Sequence, residues 1–311
     1  MSKRRPRFKR TNPLPARITK DDIAITRYVA QHRFRRSSDI FRHLSHRPPK
    51  KLRERLRKLY DLGFLDRPLA QRDDHIQHGK THLIYALGDR GAQLLSEVDG
   101  FVAPKSNWTH KNRSVRRQHI HHTLRVADIC DAVYRLPQHE PSTSILSDAD
   151  ILRHAPNATR HDSKPWRWPA RIRLPDNTLR PSITVPDFVF GIDFADQRKR
   201  YFYFCEADRG TMPVYRSNHK NSSVVRKFET YLAGYHAGLH TSRYGIGNLR
   251  FLIVTTSQQR INTMIKVLTN VAGSADTSMF FFADIHQLLE AKHILDVPWR
   301  STSTSPTPLV T

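Results

Sequence analysis

Acidic residues are scarce in this chain. Its 311 residues hold 28 Asp plus Glu against 52 Lys plus Arg, a formal charge of +24. A surplus of that size makes a polyanion, nucleic acid first, the expected partner. Cysteine is nearly absent. Cys130 and Cys205 are the two present, both in apolar segments that read as helix and strand, which excludes a disulfide framework and a cysteine-based zinc site. Both are expected as small core residues. Long hydrophobic runs are missing as well. None approaches the roughly 20 residues needed to span a bilayer, so no membrane is expected as a partner. The Arg/Lys-rich N-terminus is followed by no apolar stretch of the kind a secretory signal needs. These absences together predict a cytoplasmic protein that works on DNA.

What is present falls into segments. Residues 1–18 carry Arg4, Arg5, Arg7 and further basic residues, three prolines and no acid, a composition that resists folding. The segment is expected to be a solvated arm, either neutralising phosphates or serving only solubility. From Thr19, a capping residue with Asp21 and Asp22 behind it, the pattern predicts a helix to about His32. A short helix from Ser37 or Ser38 to Leu44 follows, and Pro48-Pro49 opens a third over about 50–61, ended by Gly63. Leu52, Leu56 and Leu59 form the inward face of that third helix, while Lys50, Lys51, Arg53, Arg57 and Lys58 lie mostly on the other faces. Phe64-Leu65 and His82–Leu87 read as strands around a polar loop, Gln71–Lys80, that includes Arg72 and Lys80. Gly88-Asp-Arg-Gly91 leads into a further helix. The order helix, helix, basic helix, Gly turn, strand, basic loop, strand predicts a winged helix-turn-helix over 19–98, its third helix in the major groove and its wing on phosphate or minor groove.

Residues 99–115 read as a linker, and 116–298 as a second domain. Arg116–Leu136 has the apolar stripe of a helix, with His119, His121 and His122 near its start. Successive helix positions point about 100° apart, so these histidines need ligands from elsewhere to hold a metal. They are read as structural or DNA-facing, with His122 able to bond into a carboxylate cluster. Ser144–Leu152 is expected as a strand. The excursion 157–177 holds Trp166-Arg-Trp168, which can stack unpaired bases or close an edge of the core. The segments Val185–Ile192 and Tyr201–Thr211 then predict paired strands that bring Asp187, Glu206 and Asp208 to one end of a sheet. Alternation along a strand puts Glu206 and Asp208 on one face. Carboxylates gathered in an apolar sheet point to a divalent cation, a basic partner or a shared proton. A helix near 222–237, a strand 249–255, a helix 258–271, a strand 279–283 and a last helix complete the domain, and the Ser/Thr/Pro-rich 299–311 is expected to fray.

Pro186-Asp187 on one strand and Glu206-x-Asp208 on the next resemble the core of the PD-(D/E)xK nuclease superfamily. Where that superfamily normally has lysine, this chain has Asp208; Lys227 on the following helix, or less directly Lys220, can reach the same site. A resemblance to the replication-relaxation family of plasmids and integrated mobile elements covers both halves, from about Thr19 to Thr256. It is carried by the basic winged helix, His122-x-Leu124-x-Val126, Pro186-Asp187, Glu206-Ala-Asp208-Arg209-Gly210-Thr211 and Lys227-Phe-x-x-Tyr231. It implies an accessory role in plasmid replication or conjugative mobilisation, with a relaxase or replication initiator as partner.

The expected fold is therefore α+β: a winged helix followed by an α/β restriction-endonuclease-like domain with a small mixed central sheet. Two mechanisms fit its site. In one, Asp187, Glu206 and Asp208 hold Mg²⁺, Lys227 steadies water or transition-state charge, and the protein is a DNA endonuclease. In the other the acids pair with Arg209 or Lys227, and the domain binds or scaffolds as an accessory factor on double-stranded DNA. A winged-helix transcription regulator whose second domain serves assembly, as in a homodimer, is the third reading.

Overall fold

The computed structural model describes residues 7–11, 17–72, 82–100, 107–174, 176–214, 223–302 and 307–310. The chain divides into two compact units, Met1–Ala127 and Asp128–Thr311.

In the first unit, α1 (Lys20–Gln31) starts where Asp22 accepts the Thr19 backbone N–H at 2.9 Å. The strand β1 (Phe34–Arg36), which the sequence pattern did not indicate, precedes α2 (Ser37–His43) and α3 (Pro49–Asp61). Then come β2 (Leu65–Asp66), β3 (Ile84–Leu87) and α4 (Asp89–Asp99). The antiparallel sheet has the order β1-β3-β2. Ile25 and Val29 of α1, Ile40 of α2, Leu52, Leu56 and Leu59 of α3, and Leu65 and Tyr85 of the sheet form one buried cluster. That burial turns the basic face of α3 outward. The 99–115 stretch that reads as a linker contains a helix, α5 (Trp108–Ser114), because Asn107 caps it by accepting from the His110 N–H at 2.8 Å.

The N-terminal arm is tied down over 7–11. Arg67 donates to the Arg7 carbonyl, Arg57 to the Lys9 carbonyl, and Thr11 to Asp61 through both its N–H and its hydroxyl. Composition does not reveal these ties, because the partners lie some 50 residues or more away in sequence.

The helix α6 (Arg117–Tyr134) spans the division between the units. Its Ile120 and Leu124 join Phe34, Ile84 and Ala86, while Cys130 and Val133 beyond the division are buried. In the second unit β4 (Thr143–Leu146) is followed by α7 (Asp148–His154), where a strand to Leu152 was expected. The cause is a capping box: Ser147 Oγ accepts the Asp150 N–H at 3.1 Å and Asp150 accepts the Ser147 N–H at 3.0 Å. The hairpin β5 (Trp168–Arg173) and β6 (Leu179–Thr184) occupies the Trp/Arg excursion. Next come β7 (Phe188–Phe194), β8 (Lys199–Ala207), α8 (Val224–His236), α9 (Leu239–Tyr244), β9 (Leu249–Thr255), α10 (Gln258–Ala272), β10 (Phe280–Asp284) and α11 (Ile285–Glu290).

The central sheet is mixed, with order β10-β9-β8-β7-β4. β4, β7 and β8 run antiparallel; β8, β9 and β10 run parallel, so α8 and α10 supply the crossovers that parallel pairing requires. Trp168, Phe204, Phe228, Tyr231, Phe251 and Phe280 form the core beneath α8. Trp168 is fully buried and donates to the Thr230 carbonyl at 3.1 Å, which settles its role as core. The 299–311 stretch is also held where the structure describes it. Arg300 pairs with Phe282 beside β10, Thr307 bonds the Trp299 carbonyl, and Trp299 and Leu309 are buried. Two large apolar side chains and a sheet edge outweigh the polar composition. No described helix is long and apolar enough to cross a membrane.

Candidate functional site

The register of β7 against β8 pairs Phe188 with Cys205, so Asp187 stands just before β7 with its N–H on the Cys205 carbonyl at 2.9 Å. Its carboxylate accepts the Ala207 N–H at 2.9 Å. Glu206, on β8 between those residues, is buried at 6% exposure. The following helix delivers its partners: Lys227 and Tyr231 are one turn apart on α8 and share a face. Lys227 Nζ bonds Glu206 Oε2, and the Tyr231 hydroxyl donates to Oε1 at 2.6 Å. Burial raises the Glu206 carboxyl to about 7, partly offset by the Lys227 charge, with Asp187 adding to the rise. Burial alone lowers the Lys227 ammonium, but the charges of Glu206 and Asp187 outweigh it and hold its pKa above the usual lysine value. Tyr231 is raised well above an ordinary phenol by burial and then by Glu206.

Asp208 lies just past the end of β8, its N–H on the Val254 carbonyl at 2.9 Å, and its charge acts on Lys227 as those of Glu206 and Asp187 do. It receives Arg260 of α10 in a two-pronged pair at 2.7 and 3.1 Å, and the Thr255 hydroxyl at 2.6 Å. Arg260 also donates to the Met212 carbonyl at 2.7 Å, tying down the chain after Gly210. Arg260, Thr255 and Tyr231 were not picked out as site residues. Tyr231 had a signal in its spacing from Lys227; Arg260 had none, being 52 residues from its partner.

A divalent cation held by Asp187, Glu206 and Asp208 requires their oxygens to face one point with lone pairs to spare. Both oxygens of Glu206 and both of Asp208 are instead engaged by cationic or hydroxyl donors. Among the described residues no group of three or more His, Cys, Asp or Glu is arranged to hold a metal. The donor set as arranged does not fit Mg²⁺. The cluster can store a proton on Glu206 and hold β8 to α8. Lys220 lies outside the described residues. His122 is on the first-unit part of α6, while the carboxylates belong to the second unit.

The residues singled out for DNA divide in the same way. Lys50, Lys51, Arg53 and Lys58 are exposed on α3, and Arg53 also lies over the Phe41 ring at 5.5 Å. A cleft of about 670 Å³ opens beside them, lined by Lys20, Arg47, Lys51 and Lys58 and by the acids Asp21 and Glu54. Arg57 is drawn instead to Asp61 at 2.7 Å, a pairing favoured by their spacing of four on one helix. Arg7 and Arg72 are exposed; Arg4, Arg5 and Lys80 lie outside the described residues.

These features define a two-unit α+β protein with a basic helix displayed by one unit and a buried acid–ammonium–phenol cluster in the other. A family model described as replication-relaxation matches residues 27–249, well over half of the chain. The chain belongs to the replication-relaxation family. No curated protein and no solved structure matches it.

Proposed function

We propose that the protein is a DNA-binding accessory factor of plasmid or mobile-element replication or mobilisation. Its first unit acts as a winged helix on duplex DNA, and its second is a nuclease-like fold without a working metal centre. The observation that carries the reading is α3. Leu52, Leu56 and Leu59 lock one side of it in the core, which leaves Lys50, Lys51, Arg53 and Lys58 in solvent, four cations around the single exposed acid Glu54. The order α1-β1-α2-α3-β2-β3 with its three-stranded sheet supports a winged helix, in which the third helix enters the major groove. Engagement of the Glu206 and Asp208 oxygens by Lys227 and Arg260 favours scaffolding over hydrolysis.

The test measures fluorescence anisotropy of labelled duplex DNA with wild-type protein and the triple variant Lys51→Glu/Arg53→Glu/Lys58→Glu. Loss of binding by at least tenfold in the variant is expected, since each position moves from phosphate attraction to repulsion. Equal binding by both proteins would sink the assignment of α3. Incubation of supercoiled DNA with Mg²⁺ forms the second arm: nicking by wild type and not by Asp187→Ala would establish the endonuclease instead. Protection of a promoter rather than a replication or transfer origin would favour a transcription regulator.

A further inference from the structure

The β5–β6 hairpin forms a sheet of its own, and its two faces differ. The inner face packs on α8 through Trp168 and Ile172 of β5. Ser182 of β6 bonds Thr230 at 2.7 Å and receives Arg226 at 3.1 Å. The outer face is unusual. Leu179 and Ile183 of β6 and Val185 just beyond it are 54, 56 and 51% exposed, on alternate positions of one side. Directly across, the register sets Arg173 beside Leu179, Arg171 beside Pro181 and Pro169 beside Ile183. An exposed row of apolar side chains thus runs alongside an exposed row of arginines.

The tip is held in shape. Arg173 donates to Asn177 Oδ1 at 2.9 Å, and Asp176 accepts both the N–H and the hydroxyl of Thr178. Lys164 and Arg167 are exposed just before β5. Among the described residues, no ion pair holds Lys164 or Arg171, while Arg167 lies near enough to Asp162, the partner of Arg243, for its charge to help lower that carboxyl. The one carboxylate in the sequence between Trp168 and Val185 is Asp176, exposed at the tip and bonded to Thr178.

We propose that the outer face of this hairpin is a second DNA-contacting surface, a two-stranded ribbon laid along a groove of the duplex. Arg167 and Arg171 meet phosphates, while Leu179, Pro181 and Ile183 lie against sugars and base edges. This rests on the reading of the chain as a duplex-DNA binder. A duplex matches both rows at once, because its backbone is anionic and its minor groove admits apolar side chains beside arginine. A protein partner needs an apolar strip edged with carboxylates, and the charge of +24 over the whole chain argues for the polyanion.

The full-length protein and two double variants, Arg167→Ala/Arg171→Ala and Leu179→Ser/Ile183→Ser, are titrated with labelled duplex DNA over a range of salt. All four positions are exposed, so thermal unfolding should match wild type. The arginine variant is expected to flatten the slope of log Kobs against log[salt] by about 1.8, for two phosphate contacts at about 0.9 each. The apolar variant is expected to weaken binding several-fold with the slope unchanged. Wild-type affinity and slope in both variants would overturn the ribbon while leaving α3 standing, provided the α3 triple variant still loses binding. A wild-type protein that fails to bind duplex DNA at low salt would overturn both. An altered sedimentation coefficient in the apolar variant with DNA binding intact would overturn the ribbon in favour of a protein-binding face.

Discussion

Lys227 and Glu206 decide much of the second unit's chemistry, and their effect is measurable through pH. The unfolded carboxyl titrates near 4.5 and the folded one at about 7, because burial outweighs the pull of Lys227. Between those values the folded state keeps a proton that the unfolded state has lost, so this group's stabilisation is complete below pH 4.5, falls as pH rises toward 7, and is level above. Glu206→Gln cannot titrate. Its stability relative to wild type should therefore improve by up to about 3 kcal/mol between pH 5 and pH 8, measured by urea unfolding at each pH. An unchanged difference would mean that Glu206 is ionised throughout. Gly234 of α8 gives a steric counterpart: a Cβ there would lie 2.2 Å from Trp168 Nε1. Gly234→Ala should cost about 1–3 kcal/mol by overpacking, whereas Gly247→Ala, with open space around it, should stay within about 0.5 kcal/mol by thermal melting. Spacing alone placed Lys227 and Tyr231 on one helical face. That Glu206 would be their partner depended on how α8 packs against β8.

At the scale of elements, the turn after β8 is held by a residue far away in sequence. Asp208 is nearly buried, and Arg260 is its two-pronged partner. Arg260→Ala leaves that carboxylate without its bidentate partner, held by the Thr255 hydroxyl and the Gly210 N–H, so a loss of about 1–3 kcal/mol is expected in denaturant unfolding. Arg260→Lys should recover only part of it, since an ammonium cannot reproduce the planar fork. Hydrogen exchange at 208–212 should speed up in the alanine variant; exchange as slow as in wild type would mean that the turn holds itself. Local signals served well where the cause was local. The start of α1, the apolar face of α3 and the pair β7–β8 follow from capping acids, leucine spacing and aromatic runs. The pattern failed at α7, where a two-residue capping device overrode an apolar run, and at β1 and the β5–β6 hairpin, which exist because a partner strand is there to pair with them.

For the whole molecule, charge is the dominant property, and DNA affinity should follow it. Binding of wild-type protein to duplex is expected to fall by orders of magnitude between about 50 and 200 mM salt, as for proteins that neutralise many phosphates. Affinity nearly independent of salt would contradict an electrostatic interface. The sequence by itself determined the basic surface, the order of most elements, the inward leucines of α3 and the family, because composition, periodicity and short motifs are local properties of the chain. Tertiary structure alone decided which carboxylates are available: it gave Glu206 to Lys227 and Tyr231, gave Asp208 to Arg260, and turned Arg57 toward Asp61. It also laid arginines beside exposed apolar side chains on one hairpin face. Those outcomes depend on strand register and crossover helices that bring together residues tens of positions apart, and no local pattern encodes such a distance.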